Sequence, residues 1–122
     1  MTNNLAGKRV LVVEDEYLIA ADLERALGKA GAKVVGPVAD LETGMRLAGS
    51  EPLDAAVLDV NLKEGHSYPI AEALMGRTIP FLFMTGYDDW ALPEAYRATP
   101  RAAKPCPVER ITAMVERLVT PS

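Results

Sequence analysis

Strand-length apolar runs punctuate this chain, and several stop abruptly at a residue able to do chemistry. Arg9-Val10-Leu11-Val12-Val13 stops at Glu14-Asp15-Glu16, Ala55-Ala56-Val57-Leu58 at Asp59, and Ile79-Pro80-Phe81-Leu82-Phe83-Met84 at Thr85-Gly86. Runs that stay apolar without alternating predict strands buried on both faces, as at the centre of a parallel sheet. Between them the period lengthens to that of a helix: Leu18, Ile19, Leu23, Ala26, Leu27 and Ala30 share one face, and Gly31 stands where a C-terminal cap belongs. Val34-Val35-Gly36 reads as a short strand that Pro37 either ends early or marks as an edge. Leu41 to Ala48 reads as a second helix capped by Asp40.

Beyond Asp59 the stretch Asn61 to His66 is a polar turn, and Ser67 is placed to cap a helix that tolerates Pro69 in its first turn and ends at Gly76. Asp88 to Ala98 is helix-like but broken by Pro93, which predicts a short helix. Arg101 to Lys104 is a short fifth strand closed by Pro105. Val108 to Val119 is amphipathic, with Ile111, Met114, Val115 and Leu118 opposite Glu109, Arg110, Glu116 and Arg117. Strands alternating with helices predict an α/β fold: one doubly wound (βα)5 domain around a five-stranded parallel sheet. There is no internal repeat or linker, so residues 1–122 are expected to form a single domain with its core at about 8–119.

Composition narrows the function class. A net charge of −4 without clustered Lys and Arg argues against nucleic acid as a partner. A single cysteine, Cys106, excludes an internal disulfide and fits a reducing cytosol. The polar N-terminus and the lack of any long apolar run predict neither a signal peptide nor a membrane span, hence a cytoplasmic protein.

In a parallel sheet all strand C-termini lie on one edge, where open α/β sheets bind ligands. Glu14, Asp15, Asp59, Thr85 and Lys104 therefore converge. Clustered carboxylates repel unless a proton or cation joins them, and an oxygen-only donor set suits Mg²⁺ better than zinc. Carboxylate, metal, hydroxyl and ammonium together are what in-line phosphoryl transfer needs, with Asp59, in mid-sheet, as the nucleophile.

These residues resemble the response-regulator receiver domain of bacterial two-component signalling, of flavodoxin/CheY-like fold, from Lys8 to Val119. The resemblance implies that Asp59 is the phosphoacceptor and that Glu14, Asp15, Asp59 and the Asn61 backbone carbonyl hold Mg²⁺. It implies that Thr85 hydrogen-bonds the phosphoryl group, that Lys104 pairs with it, and that the Lys104-Pro105 bond is cis. Phe83-Met84-Thr85-Gly86-Tyr87 resembles the signature of the alphaproteobacterial FAT GUY subfamily, with Met84 where alanine is usual. Arg101 stands where the typical receiver carries a switch Phe or Tyr, and the Gly86 to Ala98 segment is expected to take over as the two-state element.

The function expected on this resemblance is a phosphorylation switch that catalyses only its own aspartyl phosphorylation and dephosphorylation. It is expected to act without an output domain and to be monomeric until phosphorylated. Its donor would be a sensor histidine kinase, of the HWE or HisKA2 type, or a histidine phosphotransfer protein. The alternative is a pseudo-receiver that binds proteins without being phosphorylated. A phosphatase of the haloacid dehalogenase type fits poorly, because Asn61 stands where that chemistry needs a second aspartate.

Overall fold

The computed structural model describes residues 4–86 and 92–120. The elements are β1 (Arg9–Val13), α1 (Tyr17–Lys29), β2 (Lys33–Val38), α2 (Leu41–Ser50), β3 (Ala55–Asp59), β4 (Asn61–Leu62), β5 (Gly65–His66), α3 (Tyr68–Gly76), β6 (Phe81–Thr85), β7 (Arg101–Ala103) and α4 (Val108–Val119). Five strands form one parallel sheet in the order β2-β1-β3-β6-β7. This is the doubly wound, flavodoxin/CheY-like fold that the alternation of periods predicts.

Each non-alternating run feeds two cores at once. From β1, Leu11 and Val13 point to one face of the sheet, where they join Ala48 of α2 and Ile70 and Leu74 of α3. Val10 and Val12 point to the other, with Leu23 and Leu27 of α1 and Ile111 and Val115 of α4. β3 divides in the same way, Ala56 and Leu58 against Ala55 and Val57. A strand apolar at every position is therefore what a sheet covered on both faces requires. The two cores clamp the strands, and their carboxyl ends are held in register.

Three local features differ from the sequence reading. β2 lies at the sheet edge as Pro37 implies, but it continues through that proline to Val38 instead of ending early. It does so through an irregular register opposite Leu11 and Val13, a cis Gly36-Pro37 bond and a positive φ of 98° at Gly36. Ser67 occupies the N-cap position of α3, yet its hydroxyl makes no capping bond, and its backbone carbonyl alone receives the Ile70 and Ala71 amides. Asp40 by contrast does cap α2, accepting from the Thr43 amide at 2.9 Å.

The helix expected over 88–98 is the third difference. The described residues hold four α-helices, and in this stretch only a single 3-10 turn, Glu94–Tyr96, entered from Pro93. Residues 88–91 of that prediction lie outside the described residues. The polar turn after Asp59 is a miniature antiparallel ladder, with Asn61 opposite His66 and Leu62 opposite Gly65.

Gly36 is a position where the backbone needs glycine. A methyl group there would stand 2.9 Å from the Val38 amide nitrogen and 3.1 Å from the Val12 carbonyl oxygen, in a conformation other residues avoid. Gly36→Ala is expected to lower the unfolding free energy by about 2 kcal/mol or more. Gly28→Ala, exposed in α1 with open space around it, should raise it by a few tenths to about 1 kcal/mol. Urea unfolding of both variants checks the contrast.

Candidate functional site

The ends of β1, β3, β6 and β7 lie side by side in the sheet, and each delivers one polar group to the same edge. Glu14 follows β1, Asp59 ends β3, Thr85 ends β6 and Lys104 follows β7. The first three are 2%, 4% and 5% exposed, uncommon burial for such residues. Their backbones are tied across the sheet: the Lys104 amide donates to the Thr85 carbonyl at 2.8 Å, and the Val60 amide to the Met84 carbonyl at 3.0 Å.

The side chains converge as the pattern predicts. Glu14, Asp15 and Asp59 each place a carboxylate oxygen within 4.8 Å of the others. Asp59 is held at both oxygens, Oδ1 accepting from the Asn61 amide at 3.2 Å and Oδ2 from Lys104 Nζ at 2.9 Å. The same ammonium donates to Glu16 Oε1 at 2.9 Å and to Glu14 Oε2 at 3.3 Å. Asn61 opens β4, two residues beyond Asp59. The Lys104-Pro105 bond is cis, as the resemblance implies.

Three carboxylates, Glu14, Glu16 and Asp59, thus meet one ammonium, and Asp15 lies beside Glu14 and Asp59. Burial raises Glu14 from the ordinary 4.5 to about 7, with the nearby Asp59 charge adding to the rise; the Glu16 amide and Lys104 oppose it. For Lys104 burial acts to lower the pKa, but its bonds to Glu16, Asp59 and Glu14 outweigh that and hold it above the usual lysine range. Glu14 Oε1 is buried and receives no hydrogen bond among the described residues, although Nζ lies 3.0 Å away in ion-pair contact. An orphaned anionic oxygen beside two further carboxylates is a donor set with room for a hard cation, so the residues fit Mg²⁺.

Glu16 is the site residue that sequence reasoning missed. It stands at the N-cap of α1, where its amide donates to Glu14 Oε2 at 2.9 Å while its side chain reaches Lys104. The signal was the third acid in Glu14-Asp15-Glu16.

Around the site two aromatic questions resolve. Arg101, opposite Phe83 in β7, sends its guanidinium to the Arg97 carbonyl at 3.2 Å. Tyr96 is buried. Its ring stacks on Tyr68 with centroids 5.5 Å apart and meets Phe83 edge-on at 5.4 Å. Exposed His66 stacks on the far side of the same cluster, 5.0 Å from Tyr68. Trp90 lies outside the described residues.

Comparison with known proteins agrees with this geometry. A family model described as the response regulator receiver domain matches residues 10–116. The solution structure of SdrG from Sphingomonas melonis superposes with a TM-score of 0.80 at 36% identity, covering 96% of this chain and 98% of that one. PhyR from Brucella abortus superposes with a TM-score of 0.79 at 26% identity, covering 96% of this chain but 49% of that one. The transcriptional regulatory protein PdtaR of Mycobacterium tuberculosis is 27% identical over 117 residues, and the match spans 57% of its length. The chain thus spans about half the length of that curated relative. Among the described residues no helix is long and apolar enough to cross a membrane. With the fold, the ordered strand-end residues and a match over most of its length, the chain belongs to the response regulator receiver family, whose domains are signalling modules that accept phosphoryl groups from histidine kinases.

Proposed function

We propose that this chain is a Mg²⁺-dependent switch in which Asp59 accepts a phosphoryl group from a sensor histidine kinase or a histidine phosphotransfer protein. The observation that carries the reading is the pairing of Asp59 Oδ2 with Lys104 Nζ at 2.9 Å, beside Glu14 and Asp15 oxygens within 4.8 Å. An Asp59 oxygen attacks phosphorus as the bond to the donor's imidazole nitrogen breaks, and the electron pair returns to the ring. The product is an acyl phosphate on Asp59. Asn61 N–H and Lys104 orient the two carboxylate oxygens, each of which keeps a lone pair for the attack. Lys104 and the Thr85 hydroxyl would donate to the transferred oxygens. Mg²⁺, held by Glu14, Asp15, Asp59 and the Asn61 carbonyl, would offset the repulsion between acceptor and incoming phosphoryl oxygens. Water then hydrolyses the acyl phosphate, so the protein resets itself and turns over no other substrate.

Lys104 is shared among three carboxylates, so transfer requires it to exchange a bond to Glu16 or Glu14 for one to the phosphoryl group. The likeness of Phe83 to Tyr87 to the FAT GUY signature favours a donor of the HWE or HisKA2 type. The solved SdrG structures include a BeF₃-activated conformation, which supports beryllofluoride as a probe here. A cytoplasmic setting and a monomeric resting state complete the reading. Arg101 at the switch-aromatic place favours the second reading, a non-phosphorylated binding module.

With Mg²⁺ and acetyl phosphate or phosphoramidate, the intact mass of the wild type is expected to gain one phosphoryl group, and Asp59→Asn none. Beryllofluoride should shift the Thr85 and Lys104 resonances of the wild type alone, and Lys104→Met should slow phosphorylation on the order of tenfold or more. An unmodified wild type with unmoved beryllofluoride spectra would hand the case to the binding module. The raised Glu14 generates a separate prediction. Because its folded pKa is about 7 against 4.5 unfolded, the folded state holds this proton more tightly, and its contribution falls as pH rises from below 4.5 through 7. In EDTA the wild type should lose up to roughly 3 kcal/mol more over that span than Glu14→Gln, as read by urea unfolding at several pH values.

A further inference from the structure

Glu16 carries a carboxylate that neither its own helix nor the acidic metal set uses. It occupies the N-cap of α1, yet its side chain makes no capping bond. It also stands outside the group Glu14, Asp15 and Asp59, whose oxygens lie within 4.8 Å of one another. Among the described residues its carboxylate meets one group, 88 residues away in the chain: Oε1 accepts from Lys104 Nζ at 2.9 Å.

An ammonium has three N–H donors, and at Lys104 three carboxylates take them: Glu14, Glu16 and Asp59. No donor is left for a phosphoryl oxygen until one of the three lets go. Burial decides which one does. The side chains of Glu14 and Asp59 are 0% and 6% exposed, whereas that of Glu16 is 60% exposed. A buried carboxylate that loses its cation has no water to replace it, and the loss is costly. Released Glu16 is hydrated at once, and an exposed ion pair is weak to begin with. The Glu16 contact is therefore the one that breaks at least cost.

We propose that Glu16 is a positioning residue, a displaceable latch that holds Lys104 at rest and competes with the phosphoryl group for its ammonium. It touches neither the phosphoryl group nor the metal, and it acts through Lys104 alone. Its effect is to weaken the hold of the site on a phosphoryl-like anion. The latch rests on the reading of Asp59 as phosphoacceptor, but its contact with Lys104 is measurable in the unmodified protein, so the two can fail separately.

The test compares the full-length wild type with Glu16→Gln and with Glu16→Asp, which keeps the charge but shortens the side chain by one methylene. Without Mg²⁺ or any phosphoryl mimic, NMR of the lysine ammonium groups should show the Lys104 protons exchanging with water severalfold faster in both variants. With Mg²⁺ present, beryllofluoride is expected to bind both variants about threefold more tightly than the wild type, the scale of one exposed ion pair. A merely structural Glu16 would leave that affinity level or lower it. Unchanged exchange at Lys104 would overturn the latch whatever beryllofluoride does. Equal beryllofluoride affinity in all three proteins would overturn it and leave the switch standing. Tightening in the Gln variant alone would also overturn it, because the effect would then belong to charge and not to the contact. Binding by none of the three would overturn the switch and the latch together.

Discussion

The repulsion among the carboxylates at the carboxyl edge of the sheet, answered by the single Lys104 ammonium, is the constraint on which the site depends. Glu14, Asp59 and Glu16 all bond to that nitrogen, and Asp15 completes the acidic group. Left to themselves such groups would move apart or into water. They stay because each is anchored beside a buried strand end, and because Glu14 relieves part of the strain by holding its proton toward neutrality. The site is therefore poised for a cation, which would relieve the repulsion that keeps the Glu14 pKa raised.

The two cores are what make that poise affordable. β1 and β3 send alternate side chains to opposite faces, and every side chain of β3 is buried. A strand gripped on both faces cannot slide to ease a repulsion at its end, because a one-residue slip would exchange its two sets of side chains. Tyr96 belongs to the same economy of packing. With Arg101 in β7, the aromatic mass on this flank comes from Tyr96, Tyr68, Phe81 and Phe83, joined by stacked and edge-on contacts.

What could be read from the sequence divides along the same physical lines. Signals that depend on burial were legible: runs ending in acid, hydroxyl or ammonium placed four strand ends on one edge, and Glu14, Asp15, Asp59, Thr85 and Lys104 stand at those ends in the fold. Signals that depend on local competition were not. Pro37 reads as a strand breaker, but with a glycine at positive φ before it β2 runs through it. Ser67 is a residue type suited to a cap, yet its backbone, with ψ of 11°, is not in the extended conformation that a capping side chain needs. Glu16 reads as a helix-start acid. Only the folded distance of 2.9 Å to Lys104, 88 residues away, makes it part of the site.

On the proposed reading, phosphorylation replaces one carboxylate charge with about two on the phosphoryl group. A divalent cation more than cancels that difference, and a Debye length of about 8 Å at physiological ionic strength screens what remains at exposed positions. Electrostatics alone is thus a weak messenger from Asp59 to the surface. Lys104 is different, because it bonds Asp59, Glu14 and Glu16 at once. A change in its bonds, from Glu16 toward a phosphoryl oxygen, would move the strand end that carries it. Coupling, on this geometry, is a matter of where Lys104 points rather than of how much charge Asp59 bears.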